Sequence, residues 1–306
     1  MIDLTEVRKL QQLPLPELSG LALEQKLVNR GRQISLCSII NAKSGKCSED
    51  CRFCAQSAHY ATDAPVYSLK GRAEVVEAAR EAKKAGASRF SLVTSGRGMN
   101  REQVEPVAEL VRFIRDEVEV KVCASLGILG VEELKILKEA GISRYHHNLE
   151  ASQEFFPQVV STHSFQDRVE TIRACQEVGL EVCAGGIFGL GESENDRVSM
   201  AMSLRELKVD SIPINILMPL PGTPLEKMAP LSVAEILRSI ALYRLIYPEV
   251  PLRLAGGRET VLGDSLGLAF MAGVDAMMIG GYLTQRGRMP EEDRRFVAEM
   301  KNIWTS

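Results

Sequence analysis

Short apolar runs rich in Val, Ile and Leu recur along the chain, with amphipathic stretches between them. The runs lie at 34–41, 89–94, 118–125, 143–150, 181–186, 211–217, 251–255 and 276–279. Most have the length of a strand rather than a helix. Between them, Val75, Ala79, Ala82 and Gly86 form one stripe at helical spacing, and Phe165, Val169, Ile172 and Cys175 form another, as a helix with one buried face requires. Ser164, with Asp167 three residues on, is a capping-box-like start for the second. Gly86, Gly141 and Gly179 fall near helix ends and just ahead of strands, where C-terminal caps belong. The strand-then-helix unit repeats roughly every 30 residues. Eight such strands predict an α/β fold, a (β/α)8 TIM-type barrel over 33–306. Residues 1–32 read as an N-terminal helical extension that caps it. A doubly wound open sheet is the architectural alternative.

Composition adds exclusions. The 306 residues are 45% hydrophobic and 25% charged, which is ordinary for a globular enzyme. No Ser-, Gly- or Pro-rich linker divides them. A net charge of −3 gives no reason to expect nucleic acid. No apolar run approaches the ~18 residues of a membrane span, and the opening residues, Met1 to Glu6, lack a charged-then-apolar signal pattern. A cytoplasmic location is expected.

The chemistry concentrates in cysteine. Cys47, Cys51 and Cys54 stand in the run Gly45-Lys46-Cys47-Ser48-Glu49-Asp50-Cys51-Arg52-Phe53-Cys54-Ala55-Gln56, just after the first strand. Catalytic groups of such barrels gather in the loops after the strands. Three thiolates at C-x3-C-x2-C spacing can hold three irons of a [4Fe–4S] cluster, leaving a fourth iron open to bind a small molecule and pass it an electron. A structural zinc site completed by His59 is the competing reading. A disulfide framework does not fit seven sparse cysteines.

Four cysteines remain. Cys175 lies on an apolar helix stripe and reads as a small core hydrophobe. Cys37, Cys123 and Cys183 fall on the first, third and fifth strands, and Arg89 and Arg253 share their parity. Each thiol alone could be a packed core residue. Together, beside guanidinium groups, they could hold a second, anionic cluster inside the barrel. On the fourth strand His146, Asn148 and Glu150 should share one face, and Tyr145, His147 and Leu149 the other. His146 could equally be a hydrogen-bonded core histidine, and Arg168 a solvated charge. Gly185, Gly186, Gly189 and Gly191 suit either tight turns or close backbone approach to a ligand.

The triplet matches the signature of radical S-adenosylmethionine (SAM) enzymes. Nearly the whole chain resembles the biotin synthase family. The supporting runs are 47–57, Tyr145-His146-His147-Asn148-Leu149-Glu150, 182–192, Pro213-Ile214-Asn215, Pro221-Gly222-Thr223-Pro224-Leu225 and Arg253-Leu254-Ala255-Gly256-Gly257-Arg258-Glu259. The resemblance implies a sulfurtransferase that closes the thiophane ring of dethiobiotin. In it a 5'-deoxyadenosyl radical from SAM removes hydrogen from C9 and then C6, and an auxiliary iron–sulfur cluster donates the sulfur. It implies that Asn148, Glu150, Arg168, Gly185, Gly186 and Gly189 bind SAM, and that His146, Asn148 and Asn215 bind dethiobiotin. In the family pattern three strand cysteines and an arginine hold a [2Fe–2S] cluster. Cys123, Cys183 and Arg253 match it, but Ser91 stands where the third cysteine is expected. Cys37 stands on the neighbouring strand, where serine is usual. The set expected here is Cys37, Cys123, Cys183 and Arg253, around a [2Fe–2S] or larger cluster. His146 and Glu150 also replace the usual Asn and Asp. A flavodoxin or ferredoxin reductant and a homodimer are implied. The competing functions are a related barrel enzyme of the hydrogenase-maturase or methylornithine-synthase type, and a non-catalytic metal-binding protein.

Overall fold

The computed structural model describes residues 2–284 and 287–305. Nine strand segments form one sheet: β1 (Ser35–Lys43), β2 (Arg89–Thr94), β3 (Lys121–Ser125), β4 (Arg144–His146), β5 (Glu181–Cys183), β6 (Gly186–Phe188), β7 (Ile212–Ile216), β8 (Leu252–Leu254) and β9 (Ala276–Met278). Ten α-helices accompany them: α1 (Leu4–Leu10), α2 (Leu15–Arg30), α3 (Arg72–Lys84), α4 (Arg101–Glu117), α5 (Val131–Ala140), α6 (Phe165–Glu177), α7 (Glu194–Glu206), α8 (Val233–Ile246), α9 (Leu266–Met271) and α10 (Pro290–Ile303).

The sheet order is β5-β4-β3-β2-β1-β9-β8-β7-β6, with every ladder parallel. Its two ends are consecutive in the chain. The single run expected at 181–186 is interrupted at Ala184 and Gly185, so β5 pairs with β4 and β6 with β7. Bridges from Cys183 to Ser211 and from Glu150 to Gly186 join the halves to both neighbours and curl the sheet shut. A Cβ on Gly185 would lie 1.9 Å from the Pro213 carbonyl oxygen, so only glycine permits this approach. The open-sheet alternative is thereby excluded. The fourth run is shorter than expected: its ladder ends at His146, and residues 147–150 continue as irregular chain toward the site.

The helices begin where the polar pattern places them. Asn100, Ser164, Ser193 and Ser232 each close a capping box that starts α4, α6, α7 and α8. Gly141 caps α5 at φ 114°, and Gly86 and Gly179 also have positive φ. The stripes on α3 and α6 are buried, Cys175 among them. Tyr145 points outward from β4 into this layer, donating to the Gly127 carbonyl at 2.7 Å and accepting from the Leu126 amide at 3.0 Å.

The N-terminal helices pack on the outer layer beside α8 and α9. Arg30 of α2 meets Asp275 at 2.6 Å, and Asp275 also receives the fully buried Arg244 at 3.1 Å and the Leu252 amide at 2.8 Å. One carboxylate thus ties the extension to α8, β8 and the start of β9. Lys26 is fully buried with its ammonium over the Trp304 ring, 3.0 Å from the centroid. Burial, with help from Arg244, Arg30 and Arg32 and against Asp275, lowers its pKa from 10.5 to about 7. Between those values the unfolded chain binds the extra proton, so stability should rise with pH from 7 towards 10.5. Lys26→Met should flatten that slope in thermal unfolding curves. Parallel curves for the two proteins would mean that the ammonium stays charged against Trp304.

Candidate active site

The loop after β1 is folded by its own backbone. The Cys47 amide donates to the Gln56 carbonyl at 3.0 Å, the Ala58 amide to the Cys47 carbonyl at 2.7 Å, and the Cys54 amide to the Cys51 carbonyl at 2.9 Å. The Gln56 side-chain oxygen accepts from Ser44 Oγ at 2.9 Å and the Gly45 amide at 3.3 Å, holding the loop onto the end of β1. Cys51 is buried, and Cys47 and Cys54 are half-buried. Burial is the main effect on Cys51 and Cys54, and neighbouring thiols and Glu150 push the same way. The Cys51 thiol is driven well up and that of Cys54 to about 11. Metal bound here must therefore displace protons.

His59 does not join this set as the zinc reading requires; its Nε2 lies 3.0 Å from the Ser48 carbonyl oxygen. Among the described residues, no three His, Cys, Asp or Glu side chains are grouped around one ion. A cubane gives each thiolate its own iron, so its ligands need not converge on a single point.

The loop is also tethered across the barrel mouth. The Asp50 carboxylate accepts from the Ser161 amide at 2.9 Å and the Thr162 amide at 3.2 Å, and binds the Ser161 hydroxyl. Glu49 accepts from Thr162 Oγ1 at 2.8 Å and faces His163 Nδ1 at 2.5 Å. Burial opposes ionisation of both acids, but these hydrogen bonds outweigh it; Asp50 falls from 3.8 to about 2. Ser161, Thr162 and His163 lead into α6, which carries Arg168. That side chain is not a solvated charge: its Nη1 donates to the Asn148 carbonyl at 3.0 Å and lies 3.9 Å from Glu150. Glu150 holds a left-handed φ of 69°, a strained conformation typical of functional positions.

A cavity of about 210 Å³ runs into the barrel. Cys37, Cys123 and Cys183 line it with Arg89, Arg144 and Arg253, below His146, Asn148, Glu150 and Asn215. The parity expected for strand four therefore holds. Arg253 Nη1 approaches Cys183 Sγ at 3.8 Å, and Arg89 Nη1 approaches Cys123 Sγ at 3.9 Å. Burial raises the Cys37 and Cys123 thiols despite Arg253, Arg89 and Arg144. At Cys183 the same burial is outweighed by His146, Arg253 and Arg144, bringing it down to about 6. Buried Arg253 Nε and Ser91 Oγ have no hydrogen-bond partner. Three thiols lining one cavity beside unpartnered polar atoms fit an anionic cluster, whose irons need not share a single point.

Asn148 Oδ1 accepts from the Gly185 amide at 3.1 Å and Asn215 Oδ1 from the Gly256 amide at 3.0 Å, leaving part of each amide's capacity free. Gly186 has a packing role, since a Cβ there would lie 2.4 Å from Met200 Sδ. Gly189 gives its amide to Glu192 at 2.8 Å. A second cavity of about 90 Å³ lies between Cys54, Gln56, Asn215 and Gly256, and Phe53 and Tyr282 line both. Sequence reading gave no role to Tyr282, Arg144 or the Glu49–Asp50 tether; each depends on a partner far away in the chain.

The Radical SAM superfamily model matches residues 42–204, and the model of the Biotin and Thiamin Synthesis associated domain matches 213–302. The biotin synthase of Pelotomaculum thermopropionicum is 50% identical over 98% of this chain and 94% of its own length. That of Thermotoga petrophila is 44% identical over 96% and 99%. The chain belongs to the biotin synthase family. Among solved structures, methylornithine synthase shares the fold at a TM-score of 0.85 and 21% identity, covering 97% of this chain and 92% of that one. The FeFe-hydrogenase maturase of Carboxydothermus hydrogenoformans does so at 0.83 and 18%, covering 97% and 74%. Those identities speak for the fold alone. Family membership sets aside the maturase-type, methylornithine-synthase-type and non-catalytic alternatives.

The tether makes a direct prediction. Asp50→Ala should destabilise the protein by about 0.5–1.5 kcal/mol through loss of its hydrogen bonds to residues 161 and 162 at a partly exposed site, read by denaturant unfolding. Because folding depresses the Asp50 pKa, its contribution is full above pH 3.8 and lost as pH falls through about 2. Variant and parent should thus converge in acid.

Proposed function

We propose that residues 33–306 form a barrel that inserts sulfur into dethiobiotin to make biotin, with 1–32 as a supporting extension. Cys47, Cys51 and Cys54 hold a [4Fe–4S] cluster, and Cys37, Cys123, Cys183 and Arg253 hold an auxiliary [2Fe–2S] or larger one. When bound, the first supplies the electron that cleaves SAM and the second supplies the sulfur. The reaction needs such chemistry because the C–H bonds of dethiobiotin carbons are unactivated, and no acid or base lining the cavity could ionise them.

The chain's own residues do the positioning. Arg168 and Glu150 meet at the mouth beside Cys51 and Cys54 and suit the charged ends and ribose of SAM, with Gly189 offered to it on the family resemblance. Asn148 and Asn215 offer donors and acceptors to an amide-like ureido ring, and His146 shares their cavity. Gly185 and Gly186 let the strands carrying Asn148 and Asn215 approach closely enough for both to face one ligand. Apolar Phe53, Val93 and Pro213 complete the lining and keep water from the reacting carbon. A flavodoxin or ferredoxin reductant and a homodimer complete the reading, on the family resemblance. Among the described residues no helix is long and apolar enough to cross a membrane.

One observation carries this reading: three thiols from separate strands meet in the cavity that Asn148 and Asn215 also line. The anaerobic, reconstituted protein given dethiobiotin, SAM and reductant should form biotin with one 5'-deoxyadenosine for each C–H bond broken, read by mass spectrometry. Deoxyadenosine without biotin would reject the substrate or the sulfur donor. Cys37→Ala should lose the auxiliary iron and keep that of the loop cluster; unchanged auxiliary iron would show that Cys37 is not a ligand. Asn215→Ala should raise the KM for dethiobiotin about tenfold or more, as loss of a hydrogen-bonding partner predicts.

A further inference from the structure

The thiols of the barrel are separated from solvent at its N-terminal end by a thin polar floor. Barrels of this class normally fill that level with branched apolar side chains. Here Arg89 and Arg144 line the thiol cavity. Both reach one oxygen of Glu181: Arg89 Nη2 at 2.8 Å, Arg144 Nε at 2.9 Å and Arg144 Nη2 at 2.8 Å. Glu181 lies behind them, with 43% of its side chain exposed against 13% for Arg89 and 9% for Arg144. A single carboxylate therefore spans from the cavity wall to bulk water.

Strand parity repeats the pattern. Ser35, Lys121 and Glu181 each precede a cavity thiol by two residues, at Cys37, Cys123 and Cys183, and none of the three is buried. The layer beneath the thiols is thus polar, partly wet and held by ion pairs rather than by packing. Partly exposed ion pairs open far more readily than a packed apolar plug. Opened, this one would present two guanidinium groups, with Lys121 exposed at the outer rim and Arg89 Nη1 already 3.9 Å from Cys123 Sγ. Such a path favours a small anion.

We propose that the Arg89–Glu181–Arg144 latch is a floor port that admits hydrosulfide to the auxiliary site. The inference rests on the reading of Cys37, Cys123 and Cys183 as cluster ligands. It gives the site a supply route separate from the mouth, where SAM and dethiobiotin enter, so sulfur spent in one turnover can be replaced with the mouth occupied.

The test uses the full chain carrying both clusters. After one turnover the enzyme is given ferrous ions and sodium sulfide with SAM and dethiobiotin present, and recovery of the second cluster is followed by Mössbauer spectroscopy and labile-sulfide content. Glu181→Gln should refill about tenfold faster, as weakening a charge-assisted hydrogen bond allows. Lys121→Glu alters an exposed side chain and should not disturb folding. It should slow refilling severalfold, by an amount that shrinks as salt is added. The loop cluster should assemble at the parental rate in both. Parental refilling rates in both variants, with two clusters present, would overturn the port and leave the auxiliary reading standing. A parent chain that assembles only the loop cluster would overturn both together.

Discussion

The interior of this protein depends on a close approach between backbones at Gly185. Parallel strands send alternate side chains inward, but those side chains meet only if the sheet closes. Closure falls where the fifth strand is interrupted, and there a Cβ would strike the Pro213 carbonyl at 1.9 Å. With the seam shut, β1, β3 and β5 face one axis, and residues as distant in sequence as Cys37 and Cys183 share a cavity. The irregular chain that continues β4 belongs to the same seam, since the Leu149 amide bonds the Gly185 carbonyl at 2.9 Å. Its strain at Glu150 follows from delivering Asn148 inward while the backbone turns towards the mouth.

Charge organises the space that closure creates. Three arginines line the cavity with three thiols. Buried guanidinium groups need partners: Glu181 pairs with Arg89 and Arg144, and the Cys183 sulfur lies 3.8 Å from Arg253. Protons are distributed unevenly as a result: Cys183 sits at about 6 while burial holds Cys37 and Cys123 up. In the proposed cluster one thiolate would be ready to ligate at neutral pH, and the other two would have to exchange a proton for metal. The loop thiols Cys51 and Cys54 are in that second condition as well.

Much of this could be read from the sequence because it is written in local periods. The (β/α)8 pattern, the Ser164–Asp167 cap, the inward face of His146, Asn148 and Glu150, and the place of Cys37, Cys123 and Cys183 on inward strand positions all follow from spacing or from family motifs. Harder to read were features that depend on partners distant along the chain. The break at Ala184–Gly185 is a demand of closure rather than of propensity. Apart from the family resemblance, Arg168 could equally be a solvated charge, because its carbonyl partner on Asn148 is twenty residues away. Glu49 and Asp50 sat inside the most informative motif with no stated role, since Ser161, Thr162 and His163 lie more than a hundred residues on.

That last contact joins two parts of the molecule mechanically. The cysteine loop grips the segment that starts α6, and α6 holds Arg168 against Asn148. Both acids lie between Cys47 and Cys51, so a cluster held there, as proposed, would stiffen the same few residues that hold the helix start. On the proposed reading, losing that cluster would loosen 161–164, where Ser161 and Ser164 are exposed and only His163 is buried. Proteases cleave chains where the backbone loosens. If the loop holds the proposed cluster, the tether would convert the loss of a metal centre into a visible mark of damage, and tie the lifetime of the polypeptide to the integrity of its cofactor.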